Sequence, residues 1–395
     1  MPNASRPMPT HAEGAGAFAR FDLARVPSPC FVVDEKTIEH NLRILADVAA
    51  QSGARVLLAL KAFAMGALAP LMGRYLHGVC ASGLYEAQLG RSEYQGEVAT
   101  FCAAYRQSDI DRVIALSDYV IFNSVAQKER FAAQCRKAGV QMGLRINPAH
   151  SEVENPRYDP CAPGSRLGVP IGQLNARALA GVSGLHMHSL CEQGFAPLWR
   201  TWQVVEPQLR HVLPAMQWLN LGGGHHITRG DYDRASLVAF LRDIRGRYGV
   251  QLYLEPGEAV ALNAGILVGE VLDVLSNGRD LAIIDISATC HMPDVLESPY
   301  RPALMGEMSD ATAGHCYRLG GLSCLAGDVI GAYTWPTPLR IGTRLAFLDQ
   351  AHYSMVKTTT FNGVPLPAIA LWNSETDALK LLRTAAYRDF RERLG

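Results

Sequence analysis

A lone lysine, Lys61, closes the apolar run LLALKAF at residues 57–63. An amine at the end of a buried strand either snorkels to solvent or is used. A lysine whose pKa is lowered becomes a nucleophile able to form a Schiff base with a carbonyl. LNLGGGHH, residues 219–226, puts Gly222, Gly223 and Gly224 directly after another apolar run. Consecutive glycines let the backbone approach a ligand closely, and their N–H groups can cradle phosphate. LYLEPGE, residues 252–258, sets Glu255 where a carboxylate is either paired or aimed at a ligand nitrogen. Lysine, cradle and carboxylate together match the needs of pyridoxal phosphate. That cofactor wants an amine for its aldehyde, a phosphate site and an acid opposite its pyridinium nitrogen.

The histidines offer a rival reading. LHMHS places His186 and His188 on one side of a strand, and GGGHH adds His225 and His226. Imidazoles with a carboxylate suit zinc. A flat imidazole over a planar ring, with the others in ordinary hydrogen bonds, explains the motifs equally well, and we expect no metal. Two later motifs add polar groups. GGLSCLAGD, residues 320–328, carries Cys324 and Asp328, and HYSMVKTTTFNG, residues 352–363, offers Tyr353 as a phosphate-directed hydroxyl. A buried inert thiol and a sheet tyrosine with a satisfied hydroxyl are the plainer alternatives.

These residues need elements to carry them. TIEHNLRILADVAAQSG spaces Ile38, Leu42, Leu45 and Val48 as a helix ending in glycine. Eight apolar runs follow: RVLLAL, GVCAS, EVATFC, YVIFNS, GLRIN, SGLHMHS, WLNLGGG and LYLEPG. They are separated by segments long enough for crossover helices. This spacing predicts a (β/α)₈ TIM-like barrel over 37–260. The odd residues (Lys61, Ser82, Asn123, Arg145, Asn147, His186, His188, the glycines, Glu255) sit at the far end of each run, where such barrels keep their active sites. Past residue 260, short alternating runs broken by glycine and proline predict an antiparallel β-sandwich or barrel domain. CFVVD, residues 30–34, is expected to join it, giving a β domain of 21–36 plus 261–395.

Lysine plus arginine equals aspartate plus glutamate at 37 each. No basic excess points to nucleic acid, and no apolar run is long and uncharged enough to suggest a membrane. Residues 1–20 read as a disordered leader without a signal core. Nine cysteines without a CxxC pair suit free thiols in the cytoplasm.

Taken together, the motifs resemble the pyridoxal-phosphate decarboxylases of alanine-racemase-like fold (fold type III), the group holding ornithine, arginine and diaminopimelate decarboxylases. Within it the chain is most similar to the carboxynorspermidine/carboxyspermidine decarboxylases. The residues behind that match are ASGLYEA, GLRINP, SEVE, PCAPGSRLG, LCEQ, GGGHHITRGDYD, YLEPGEAV, ATCHMPDVLESPYRP, CLAGDVIG, AHYSMVK and TTFNG, from about residue 27 to 370. The resemblance implies that Lys61 holds pyridoxal 5'-phosphate and His186 stacks on its ring. Gly222, Gly223, Gly224, Ser189 and Tyr353 would hold the phosphate, Glu255 would pair with the ring nitrogen, and Arg145 would support the ring side. Cys324 would protonate the α-carbon after carbon dioxide leaves. Asp294, Glu297 and Asp328 would meet the ammonium groups of a polyamine amino-acid substrate, within a homodimer of shared sites.

The chain departs from these patterns in places. Glu258 stands where ornithine decarboxylases carry arginine after EPG, and Leu325 stands where they carry aspartate. KAFAMG replaces the KGFAMW expected of the narrower group, so Ala62 and Gly66 leave the substrate's chain length open. Another amino acid such as diaminopimelate, or a non-catalytic regulatory role, are the alternatives.

Overall fold

A computed structural model describes residues 12–310 and 313–395. The chain divides into two compact units: the described residues up to Ile38 with Ala261–Gly395, and Glu39–Val260. Strand β1 (Cys30–Asp34) leads into the helix Glu35–Ser52. Asp34 is buried and accepts from the amides of Lys36 and Thr37, capping the helix start. Ile38, Leu42, Leu45 and Val48 form the buried stripe that their spacing predicts.

Residues 39–260 form the barrel. Its strands are β2 (Arg55–Ala59), β3 (Gly78–Ala81), β4 (Glu97–Phe101), β5 (Tyr119–Phe122), β6 (Gln141–Asn147), then, after a two-residue side strand β7 (Val169–Pro170), β8 (Gly184–His186), β9 (Trp218–Asn220) and β10 (Gln251–Leu254). All eight main strands run parallel, and β10 pairs back onto β2 to close the ring. Strands covered on both faces read as continuous apolar runs, which is why these segments show little alternation.

The strand starts are plugged. Tyr119 and Tyr253 share a hydroxyl contact of 2.8 Å, Trp218 packs edge-on against both, and Arg55 pairs with Glu97. Gly184 leaves room for that indole, since a Cβ there would lie 2.0 Å from Trp218 Cδ2. With one end filled by aromatic rings, the strand ends carry the polar groups. Two of these are structural. Asn123 and Asn147 hold the 148–168 excursion through bonds to Arg166 O, the Gly168 amide, Leu167 O and the Ala149 amide.

The other unit is an eight-stranded sheet of β1 with β11 (Gly265–Ser276), β12 (Asp280–Ile284), β13 (His315–Gly320), β14 (Val329–Trp335), β15 (Arg344–Leu348), β16 (Ala368–Trp372) and β17 (Leu379–Arg383). CFVVD joins this sheet at its centre, between β11 and β16. Phe31 and Leu267 feed one core cluster, while Cys30, Val32, Ile266 and Val268 feed another, so both faces are covered. The sheet is mixed rather than wholly antiparallel: β1–β16 and β12–β13 are parallel. Parallel neighbours need long crossovers. The 285–314 connection supplies one, and the rest of the chain supplies the other.

The leader expected over 1–20 needs correcting at its end. Residues 1–11 lie outside the described residues, but Gly16–Arg20 form a 3₁₀ turn. Phe18 is buried 5.4 Å from the Trp372 ring, because the sheet face there needs an apolar cover. No helix among the described residues is long and apolar enough to cross a membrane.

Candidate active site

Glu255 lies just past the end of β10, with its side chain 11% exposed. His186 Nε2 is 3.1 Å from its Oε2, and Asn220 Nδ2 donates to its Oε1 at 2.7 Å. Burial alone would raise the carboxyl; His186, the Asn220 hydrogen bond and the nearby Lys61 ammonium outweigh it and hold Glu255 below the usual range. Burial pushes His186 below the ordinary imidazole range against the pull of Glu255. A neutral ring therefore donates Nε2–H to an ionised carboxylate, leaving Nδ1 buried without a partner among the described residues. The imidazole stacks on Phe101 at 5.5 Å and 27°.

Lys61 follows β2 in a turn and is exposed, within electrostatic reach of Glu255, His186, His188 and Cys80. Arg145, on β6, is buried with its guanidinium 4.6 Å from the Phe101 ring centre. Its hydrogen bond to His188 O is a long one, 3.4 Å. Burial draws it down to about 10, still protonated at neutral pH, a cation short of an anion.

The glycine turn is used twice over. A Cβ on Gly222, Gly223 or Gly224 would lie 2.5, 2.1 or 2.0 Å from the carbonyl oxygens of Met187, Glu255 and Leu190. Close backbone packing therefore demands glycine before any ligand is considered. The Gly222 amide donates to Asn220 Oδ1 at 2.8 Å and the Gly223 amide to His188 Nδ1 at 3.0 Å. Of the three, only the Gly224 amide is uncommitted among the described residues. Ser189 Oγ is buried without a partner among the described residues. His225 Nδ1 meets Tyr232 OH at 2.8 Å, and its buried Nε2 has no partner among the described residues. His226 lies 3.1 Å from Glu258, so the carboxylate in the place of an arginine is answered by an imidazole. Each of the four histidines thus faces a different partner. No group of three His, Cys, Asp or Glu among the described residues is placed to hold a metal ion.

The two departures near the lysine differ in kind. Ala62 is buried against Gly257, where an added Cβ would lie 2.6 Å from Ala62 Cβ. Gly66 opens onto free space, with nothing within 4 Å of an added Cβ.

The remaining expected residues lie in the sheet unit. Cys324 is exposed, and its amide donates to Asn362 Oδ1 at 2.8 Å. Asp328 is buried and accepts four hydrogen bonds. Oδ2 accepts from Ser287 Oγ at 2.7 Å and from the Ser323 hydroxyl and amide, and Oδ1 accepts from the Thr289 amide at 3.2 Å. This carboxylate ties together its own loop and the Ser287–Thr289 segment. Asp294 and Glu297 both grip Lys357 Nζ, at 2.5 and 2.6 Å. Burial opposes the charge of Lys357, but the two carboxylates prevail and raise its pKa. Tyr353 sits at φ +33°, a strained position of the kind that gathers at functional loops.

Known proteins resemble the chain over most of its length. The family model for the pyridoxal-dependent decarboxylase, C-terminal sheet domain, matches residues 30–351. The chain belongs to the pyridoxal-dependent decarboxylases. It is 41% identical to the carboxyaminopropylagmatine decarboxylase of Synechocystis sp. over 94% of this chain and 97% of that one. It is 37% identical to the carboxynorspermidine/carboxyspermidine decarboxylase of Campylobacter jejuni over 93% and 98%. The crystal structure of carboxynorspermidine decarboxylase from Campylobacter jejuni, complexed with norspermidine, superposes with a TM-score of 0.85 over 93% of this chain and 100% of that one.

As a member of this family the chain is a carboxy-lyase, and its barrel mouth fits the family's cofactor. Ionised Glu255 and under-partnered Arg145, with Ser189 Oγ, the Gly224 amide and His225 Nε2 uncommitted among the described residues, offer an acid, a cation and several hydrogen-bonding groups in one unit. Reading the sequence overlooked Asn220, Phe101, Asn362 and the Ser287–Asp328 bond. The first had a signal: a polar residue ends a buried strand directly before three glycines. The others depend on contacts between segments far apart in the chain.

Proposed function

We propose that this decarboxylase removes the α-carboxylate from a carboxylated polyamine, using pyridoxal 5'-phosphate held by Lys61. Glu255 would serve the ring nitrogen and His186 the ring face. Arg145, Ser189, Gly222, Gly223, Gly224 and Tyr353 would serve the rest of the cofactor, with the Gly224 amide the donor left open. The bound cofactor supplies the electron sink for the pair released as carbon dioxide departs. The protein's part is to keep the Glu255 carboxylate charged, orient the amine of Lys61 and deliver a proton to the α-carbon from Cys324 Sγ. The observation that carries the reading is the largely buried Glu255 carboxylate, held between His186 and Asn220 in a barrel whose first strand runs into Lys61.

Relatives named for carboxynorspermidine, carboxyspermidine and carboxyaminopropylagmatine support an α-carboxylated head on a cationic chain. Asp294 and Glu297 already bind one ammonium, that of Lys357, and their two charges against one leave attraction for another. Open space at Gly66 is consistent with a longer tail. We further propose a homodimer with shared sites, supported by the exposed Leu322, Leu325 and Phe361 around exposed Cys324. Nine free thiols support a cytoplasmic location.

Mass-spectrometric product detection with added pyridoxal phosphate tests the reading. Carboxynorspermidine, carboxyspermidine, carboxyaminopropylagmatine, diaminopimelate and ornithine would be offered in competition. Selective decarboxylation of a carboxylated polyamine is expected. Turnover of diaminopimelate or ornithine alone would overturn the substrate and leave the chemistry. Sedimentation of the holoenzyme as a monomer would overturn the shared site.

A further inference from the structure

Asn220 ends β9 almost fully buried, and its side-chain amide is committed in two directions. Nδ2 donates to Glu255 Oε1 at 2.7 Å, while Oδ1 accepts from the Gly222 amide at 2.8 Å. Register places Asn220 opposite His186 on one side and Tyr253 on the other, so it stands between the strand of the imidazole and the strand of the carboxylate. His186 takes the second Glu255 oxygen. The carboxylate is thus fixed by two side chains, only one of which also touches the glycine turn.

A rigid ligand makes that link consequential. The phosphate and ring nitrogen of pyridoxal phosphate are set relative to each other by an aromatic ring, so the protein must fix its acid and its cradle relative to each other too. We propose that Asn220 is a positioning residue that ties the Glu255 carboxylate to the phosphate turn through one planar amide. The proposal rests on reading the barrel mouth as the cofactor site. An amide suits the task, since it offers a donor to the anion and an acceptor to the backbone N–H at once. Aspartate would keep the acceptor but set a second charge against Glu255. Alanine would remove both bonds.

The test compares wild type, Asn220→Ala and Asn220→Asp for affinity towards pyridoxal phosphate and towards pyridoxal, which lacks the phosphate. The absorbance of the bound cofactor is followed against pH in each. Asn220→Ala is expected to weaken pyridoxal phosphate about 10-fold or more, as for loss of a hydrogen bond to a charged group. Its loss for pyridoxal should be smaller, and the pH midpoint should move. Asn220→Asp is expected to preserve the wild-type ratio between the two ligands and still move the midpoint. Equal weakening of both ligands by Asn220→Ala with an unmoved midpoint would overturn the proposal, since a general loss of packing does that. If Asn220→Ala does not fold, an unmoved midpoint in the isosteric Asn220→Asp overturns it alone. Wild-type protein that takes up no cofactor would bring down the underlying reading and the proposal with it. Uptake by wild type and both variants alike, with identical titrations, would remove only the proposal.

Discussion

Glu255 and Asp328 are both carboxylates taken out of water, and their partners differ in kind. Glu255 is held by His186 and Asn220, side chains at the ends of two other barrel strands. Asp328 is held by Ser287, Ser323 and the Thr289 amide, all within its own loop and the segment leading into a short helix. The first network fixes residues far apart in sequence around a space where charge is available. The second spends a whole carboxylate on the shape of one turn, the turn that presents Cys324. The same contrast separates the two units. Glu255, His186 and Asn220 stand at or just past strand ends and hold one another, whereas Cys324 and Tyr353 ride on turns, one exposed and one at positive φ. Cofactor chemistry calls for the rigid arrangement and variable substrate tails call for the other.

The sharpest way to break that division is to remove one reactive group from each side. Lys61→Ala is expected to abolish turnover and the borohydride-fixable cofactor adduct, with an unchanged melting temperature because the exposed side chain carries little packing. Residual wild-type turnover would end the barrel-mouth assignment. Cys324→Ala is expected to lower turnover by about 10²–10⁴-fold, the range for a general acid. Cofactor affinity should stay at the wild-type value. Loss of cofactor from this variant would merge the two networks that the comparison keeps apart.

Legibility in the sequence follows the same line. Barrel strands announce themselves because a strand buried on both faces is one uninterrupted apolar run, and its first polar residue marks the mouth: Lys61, Glu255 and the glycines were readable for that reason. The glycines' packing role and the commitment of two of their amides were not, since both depend on neighbours at Met187, His188 and Leu190. The short alternating runs past residue 260 predict an antiparallel domain, yet β12–β13 and β1–β16 are parallel, because short alternating strands look alike in either direction. The donors that hold Asp328 were not readable either, because sequence shows a charge and not its partners.

Smaller effects test how each carboxylate is held. Asp328→Ala strands the Ser287 and Ser323 hydroxyls and the Thr289 amide. A stability loss of about 1–3 kcal/mol is expected by chemical denaturation, the cost of leaving a buried donor unsatisfied. It should carry a fall in turnover through a displaced Cys324. A variant as stable as wild type would make Asp328 available to the substrate after all. Gly223→Ala pushes a Cβ to 2.1 Å from Glu255 O. About 1–3 kcal/mol of overpacking is expected by denaturation, with weaker cofactor uptake, because the carbonyl that must yield belongs to the acid itself.

Acid separates the units most finely. His225 in the barrel is pushed down to about 3 by burial and then by His226, and it faces Tyr232 and, at longer range, His188. His291 in the sheet unit is pushed down to about 4 by burial, against the Pro365 carbonyl and Asp328. An unfolded histidine titrates near 6.5. Between that value and the folded one the unfolded chain binds a proton that the folded chain refuses. The stability is therefore complete above about pH 6.5 and falls as pH drops, by about 1.4 kcal/mol per pH unit for each such group. His225→Phe should remove one proton from the slope of stability against pH between 6 and 4, and His291→Phe should do the same. Only the His225 change should also alter cofactor affinity, because its unpartnered Nε2 belongs to the barrel mouth while His291 is satisfied within the sheet unit. Equal effects of the two on cofactor binding would show that the barrel network does not end at the glycine turn, and that the acid-sensitive cores of the two units act as one.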